Sequence, residues 1–170
     1  MKVILYMATT LNGVIAKFDD SADFLTKEES ASYVSKVKEA EALIVGKRTY
    51  GILSQQPEFQ EFLKAGVKIV AISHSNFELK DPNHEVAHSP TEALEILKEF
   101  KTVILAGGGI TNASFLAENL VDEIYIDIEP AVLGKGIPLF NGPDFDRPLK
   151  LLGTKKLSEN EIQLHYEILK

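Results

Sequence analysis

Two short stretches combine residue types that bind anions. Gly46-Lys47-Arg48-Thr49 follows the apolar run Ala42-Leu43-Ile44-Val45, and Gly107-Gly108-Gly109 ends a second run, Thr102 to Ala106. A buried strand, a glycine turn and a helix start together let the backbone approach a phosphate. Glycine lacks a Cβ and accepts positive φ, and the first turn of a helix offers unpaired N–H groups and a partial positive charge. Lys47 and Arg48 add two cations, the arginine with a fork that matches phosphate oxygens. Ser73-His74-Ser75, after a third apolar run from Val67 to Ile72, adds hydroxyl and imidazole donors. Each stretch also has a plainer reading: a solvated basic pair, a tight connection, a polar loop cap.

Other chemistry is excluded. The chain has no cysteine, so disulfides and thiolate metal sites are unavailable. His84, His88 and His165 show no spacing of a ligand set, and no metal is expected. With 25 Asp and Glu against 18 Lys and Arg, the net charge of −7 argues against a nucleic-acid surface, which must neutralise many phosphates. A small phosphorylated ligand needs only a local cluster of donors. Residues 1–10 carry one lysine and an apolar stretch too short for a signal peptide or membrane span. The cytoplasm is therefore the expected location, with no membrane partner.

These groups need elements to hold them. At 170 residues and 45% hydrophobic, the chain is read as one domain over 1–170. Lys2 to Thr9 reads as a buried strand, turned by Asn12-Gly13 into the extended Val14-Ile15-Ala16. Thr26 with Glu29 forms a capping box that opens a helix to about Ala40, with Tyr33, Val34 and Val37 as its apolar stripe. The runs at 42–46, 67–72 and 102–106 are buried strands, and Glu85 to Ala87 is a short one. Helical segments are expected from Thr49 to Leu53, from Pro57 to about Lys64, from Pro90 through Phe100, and after the glycines to about Asn119. Asp122 to Glu129 then alternates, with Ile124, Ile126 and Ile128 on one face and Tyr125, Asp127 and Glu129 on the other. Leu149 to Leu157 and Glu161 to Leu169 close as a hairpin around Ser158-Glu159-Asn160. The fold class is α/β: a mostly parallel central sheet, helices on both faces, antiparallel C-terminal strands.

A Rossmann dinucleotide fingerprint fits poorly. Gly107 and Gly109 match its first two glycines and Asp127 follows 18 residues after Gly109, but Asn112 holds the third glycine position. Several strands precede the motif, and about 40 residues after Asp127 are too few for the rest of such a domain.

Five ordered segments instead resemble the dihydrofolate-reductase-like superfamily. They are Ala8-Thr9-Thr10-Leu11-Asn12-Gly13-Val14-Ile15-Ala16, Val45-Gly46-Lys47-Arg48-Thr49-Tyr50, Ile72-Ser73-His74-Ser75, Leu105-Ala106-Gly107-Gly108-Gly109, and Leu120 to Tyr125 with Pro130 to Phe140. The last is similar to the reductase domain of the bifunctional riboflavin-biosynthesis deaminase-reductase. The deaminase half, with its P-C-x-x-C, has no counterpart here. The resemblance implies a dihydrofolate-reductase-like three-layer sandwich. It implies an NADPH-dependent reductase of a small heterocycle, the named reaction being reduction of 5-amino-6-(5-phosphoribosylamino)uracil. A non-catalytic NADP-binding regulatory domain and a dihydrofolate reductase are the alternatives.

The resemblance also assigns residues. Ala8 and Ile15 would bond the nicotinamide carboxamide through their backbone. Gly46, Lys47, Arg48 and Thr49, with Ser73 and His74, would hold the adenosine ribose, the 2′-phosphate and the pyrophosphate. Gly108, Gly109, Ile110 and Thr111 would receive the pyrophosphate on N–H groups. Gly134 and Gly136 would let a loop close over the cofactor. A reduced substrate also needs a proton, and Asp23, Glu28, Glu29 and Asp127 are the candidate carboxyls. Folate reductases carry an acid on their first helix at a position that falls on Ser30, with Glu29 adjacent. Resemblance turns the Asp127 side of its strand toward the substrate, so Glu29 and Asp127 are the expected catalytic pair. A substrate 5-phosphate would want a second basic site, for which Lys135 and Arg147 are the candidates. A homodimer is expected, with Leu164, Tyr166 and Ile168 of the hairpin as its interface.

Overall fold

The first strand sets the frame. The computed structural model describes residues 1–170, and β1 (Lys2–Thr10) lies near the middle of an eight-stranded sheet. Its neighbours are β6 (Thr102–Leu105) and β7 (Glu123–Glu129), both parallel to it. Beyond β6 come β3 (Ala42–Gly46), β4 (Lys68–Ile72) and the short β5 (Glu85–Ala87), again parallel. Beyond β7, β10 (Ile162–Ile168) runs antiparallel, and β9 (Leu149–Lys156) pairs with it at the edge. Strands covered on both faces are apolar, which is why residues 42–45 of β3 and 69–72 of β4 are continuous Val, Ile, Leu and Ala runs. The α/β class with a parallel centre and antiparallel C-terminal strands is the one read from the sequence.

Helices α1 (Lys27–Ala40), α2 (Lys47–Leu53) and α3 (Pro57–Ala65) pack on one face through Val34, Val37, Tyr50, Phe59 and Phe62. On the other face α4 (Pro90–Ile96) and α5 (Gly109–Ala117) bury Ala93, Phe115 and Leu116. Outside the sheet, β2 (Val14–Ala16) pairs with the two-residue β8 (Ile137–Pro138). No helix is long and apolar enough to cross a membrane.

Local differences from the expected elements have physical causes. Thr26 accepts from the Glu29 N–H at 3.2 Å, but Glu29 is drawn into the protein, so only half of the capping box is the expected one. The helix after β3 starts at Lys47, two residues early, because Gly46 is extended and serves as its cap. Lys47 and Arg48 thereby enter the first helical turn. α4 stops at Ile96 rather than Phe100, Leu97 having left helical geometry. β8 was not expected, since two residues held by tertiary packing leave no local pattern.

Candidate active site

Parallel strands end together, so the turns after β4, β3, β6 and β1 lie side by side along one sheet edge. They carry Ser73-His74, Gly46 to Thr49, Gly107 to Gly109 and Leu11-Asn12 in that order. Helices leave β3 on one face of the sheet and β6 on the other. Crevices form at strand carboxyl ends where connections diverge in this way. The two glycine turns are tied together: the Gly46 N–H donates to Gly107 O at 2.8 Å.

Space dictates glycine at both turns. A Cβ on Gly46 would lie 2.6 Å from Thr111 Oγ1, and one on Gly108, where φ is +46°, would lie 3.2 Å from Thr49 Oγ1. The outcome is a cradle bordered by two hydroxyls. α5 starts at Gly109 with Gly108 as its cap, so the N–H groups of Gly109, Ile110 and Thr111 form its open first turn. Asn112, which displaces the third Rossmann glycine, is buried and donates to Leu139 O at 3.2 Å. Gly107 makes room for it, since a Cβ there would come 2.5 Å from Asn112 Oδ1.

The charged and hydroxyl groups of this edge are partly engaged. Arg48 grips Asp20 with both ends of its fork, Nη2 to Oδ1 at 2.6 Å and Nε to Oδ2 at 2.9 Å. Lys47 Nζ lies 5.1 Å from the centre of the Phe77 ring. Ser73 is buried and its hydroxyl donates to Ser75 O at 2.7 Å, so its donor capacity is used within its own turn. His74 is exposed.

Between this edge and helices α1 and α3 lies a cavity of about 1110 Å³. Ala8, Ile15, Thr49 and Ala106 line it beside the phosphate-type turns, and Glu29, Ser30 and Tyr33 line it from α1. Glu29 is 6% exposed. Burial, then Asp127, then the carboxyls of Glu129, Glu58 and Glu161 push it up to about 8, with no hydrogen bond opposing them. The buried carboxyl on the first helix is thus Glu29, one position before the one counted from the sequence. Ser30 instead donates to Glu58 Oε1 at 2.5 Å.

Asp127 lies deeper than expected. It is 1% exposed and does not line the cavity, because Tyr6 stands between. Tyr6 Oη donates to Asp127 Oδ2 at 2.5 Å and accepts from Ser32 at 2.8 Å, while Gln163 Nε2 donates to Asp127 Oδ1 at 2.8 Å. Burial raises the Asp127 carboxyl, and the two hydrogen bonds work against the rise. Burial raises the Tyr6 hydroxyl too, reinforced by Asp127. Beside them Glu129 is pushed up to about 7 by burial and then by the neighbouring Glu161 carboxyl. Glu161 also accepts from the cap residue Thr26. Four buried carboxyls, Glu29, Asp127, Glu129 and Glu161, therefore influence one another here, where the sequence reading had named two, and of the four only Glu29 lines the cavity.

Tyr6 and Gln163 were missed because each sits in a strand, and Glu161, just before β10, because its partners Thr26 and Glu129 are distant in sequence. His84, in the loop just before β5, is buried, with Nδ1 2.8 Å from Tyr50 Oη. His165 stacks on Tyr125 at 3.9 Å and pairs with Glu123 at 2.9 Å, a structural position. Gly134 meets open space, whereas a Cβ on Gly136 would lie 2.6 Å from Ala16 O. That glycine fastens β8 to β2. Arg147 donates to Ala117 O at 3.0 Å at the end of α5, far from any substrate role.

Comparison with known proteins agrees with this architecture. The family model described as the RibD C-terminal domain matches residues 1–163. The chain is 30% identical over 170 residues to YwjB of Bacillus subtilis, a protein described as uncharacterized, covering 97% of each. A putative riboflavin biosynthesis protein from Shewanella sp. PV-4 superposes with a TM-score of 0.82 at 20% identity, over 100% of both chains. The Thermotoga maritima diaminohydroxyphosphoribosylaminopyrimidine deaminase/5-amino-6-(5-phosphoribosylamino)uracil reductase superposes with a TM-score of 0.73 at 20% identity. It spans more, for this chain covers 56% of it while matching over 99% of its own length. With the family model spanning nearly every residue and the sheet order, glycine turns and cavity in place, the chain belongs to the RibD C-terminal domain family.

Proposed function

We propose that this protein is an NADPH-dependent reductase of a small heterocyclic substrate, acting in the manner of the riboflavin-pathway reductases. One observation carries the reading. Thr49, beside the glycine cradle, and Glu29, a carboxyl held neutral by its surroundings, line the same cavity.

The residues present fit the cofactor. The cradle of Gly46 and Gly108, which a Cβ would fill, and the open first turn of α5 suit a pyrophosphate. Lys47, Arg48 and His74 are the groups for a 2′-phosphate, and the backbones of Ala8 and Ile15 for the carboxamide. Bound NADPH supplies a hydride. Glu29 holds a proton on a carboxyl facing the cavity and delivers it to the substrate. Asp127 orients Tyr6, which walls the cavity at that point, and is a positioning residue. The cytoplasmic setting expected from the sequence belongs to this proposal.

The test is loss of NADPH absorbance with ribosylamino-pyrimidinediones as substrates. Turnover that falls at least a hundredfold in Glu29→Gln, with NADPH affinity kept, is the expected result. NADPH binding with no oxidation against any such compound overturns the reading and leaves a non-catalytic NADP-binding domain. Dihydrofolate is a second substrate to assay, since a buried carboxyl on the first helix is the one feature that favours it.

We also propose a homodimer formed through the C-terminal hairpin. Ile168 is buried in the protein's own core, with Tyr166 packed against it. The apolar contacts would come instead from Leu149, Leu151 and Leu152, exposed on the edge strand β9. Sedimentation velocity of Leu151→Lys should show a shift to monomer.

A further inference from the structure

A buried histidine with no part in hydride or proton transfer lies behind the phosphate-type turns. His84, 4% exposed, closes the segment that runs from Ser73, after β4, to the start of β5. Residues 76–79 of that segment make no backbone–backbone hydrogen bond, so side chains must seat it. Phe77 and Leu79 pack on the core below, and Tyr50 Oη of α2 accepts from the Lys80 N–H at 2.9 Å. The same hydroxyl lies 2.8 Å from His84 Nδ1. Its single hydrogen is bonded only if Nδ1 accepts it. The ring proton of neutral His84 then sits on Nε2, a buried atom with no partner. The rings of Tyr50 and Phe59 meet the imidazole edge-on, each centred 5.7 Å away.

The contacts continue to the charged residues of the edge. Tyr50 meets the Phe77 ring edge-on at 5.7 Å, and the Lys47 ammonium rests 5.1 Å from the centre of that same Phe77 ring, a cation held by an aromatic ring. His74 belongs to the same segment as Phe77. We infer, on the cofactor reading above, that His84 is a positioning residue for the 2′-phosphate end of the site: through Tyr50 it seats the 74–83 segment, whose Phe77 places Lys47. The bond requires a neutral ring. A proton on Nδ1 would leave the Tyr50 hydrogen without an acceptor and put a charge among aromatic rings. Burial lowers the His84 pKa, Asp81 opposes the fall, and Lys68, itself paired with Glu85 at 2.5 Å, adds to it. Once the segment lifts, His84 titrates as an ordinary histidine. In acid the open form therefore takes up a proton that the closed form refuses, and falling pH favours opening.

The test is calorimetric titration with NADPH and with NADH at pH 8 and pH 5, with melting temperature confirming the fold of each variant. His84→Leu keeps bulk and loses the acceptor; at pH 8 it should weaken NADPH at least fivefold more than NADH. Tyr50→Phe removes the other end of the bond and should do the same. His84→Asn sets an amide oxygen where Nδ1 stood and cannot take up a proton, so at pH 8 its preference for NADPH should stay within twofold of wild type. Any titration of the 2′-phosphate or of His74 is common to wild type and His84→Asn and cancels between them. On acidification wild type should therefore lose at least threefold more of its NADPH preference than His84→Asn does. Equal losses of NADPH and NADH in His84→Leu and Tyr50→Phe, or the same pH dependence in wild type and His84→Asn, overturn the inference. Failure of the reductase reading looks different: NADPH binds with these differences and is not consumed. Wild type that binds neither nucleotide overturns the cofactor reading and this inference together.

Discussion

Replacing Glu29 by Gln should make the protein more stable in alkaline buffer and leave it almost unchanged in acid. In the native state the Glu29 carboxyl is pushed from 4.5 up to about 8. In the unfolded chain it returns to an ordinary carboxylate. Between these two values the native state holds a proton that the unfolded state has released, so raising the pH favours unfolding. Each pH unit in that window costs up to about 1.4 kcal/mol, about 5 kcal/mol over the whole interval. Glutamine has nearly the same shape and no charge, so the variant escapes this loss. Glu129, pushed up to about 7, belongs to the same repulsive group, and the two effects do not add. Removing one carboxyl should therefore relieve part of the load on the other. The assay is urea unfolding followed by circular dichroism at pH 5 through 9. The expected picture is two curves of stability against pH that coincide near pH 5 and diverge by several kcal/mol above pH 8, wild type below. Parallel curves across the range would show that Glu29 ionises normally and would refute the buried-carboxyl argument.

Lys47→Ala with Arg48→Ala should weaken NADPH at least tenfold more than NADH in calorimetric titration, because only NADPH has the additional phosphate; equal losses would remove these residues from that role. Asp20→Asn, which releases the exposed Arg48 fork, should tighten NADPH by up to about fivefold, the scale of an exposed ion pair, with no gain for NADH. Gly136→Ala forces a methyl against Ala16 O and should cost about 1–3 kcal/mol, read as a lower urea midpoint. Tyr6→Phe takes a donor from buried Asp127 and should cost about 1–3 kcal/mol; an unchanged midpoint at neutral pH would mean that Asp127 is satisfied without it.

The features legible in the sequence are those written locally. Thr26 before its helix, Pro90 at a first helical position and the uninterrupted Ala42 to Gly46 run each encode an element within a few residues. The glycine turns were legible for the same reason, since strand, glycine and helix are contiguous. Depth was not legible. Alternation in β7 places Asp127, Tyr125 and Glu129 on one face, but whether that face meets a cavity or another side chain depends on Tyr6, which is 121 residues away from Asp127 in sequence. The capping-box spacing marked Glu29 as a helix-start residue. Only the packing of α1 over β1 and β7 turns it into a buried acid. His84 and Tyr50, 34 residues apart, meet for the same long-range reason, and β8 exists only because Gly136 lets it approach β2.

The Asp20–Arg48 contact has a thermodynamic consequence. Asp20 belongs to the wall of the cavity, while Arg48 stands at the start of α2 next to the glycine turns. A phosphate that engages Arg48 competes with Asp20 and so changes the anchoring of that wall. Occupancy at one end is then linked to affinity at the other, and linkage is symmetric: whatever factor the cofactor imposes on substrate binding, the substrate must return on the cofactor. In Asp20→Asn the two binding events should become independent, each ligand titrating with the same constant whether or not the other is present.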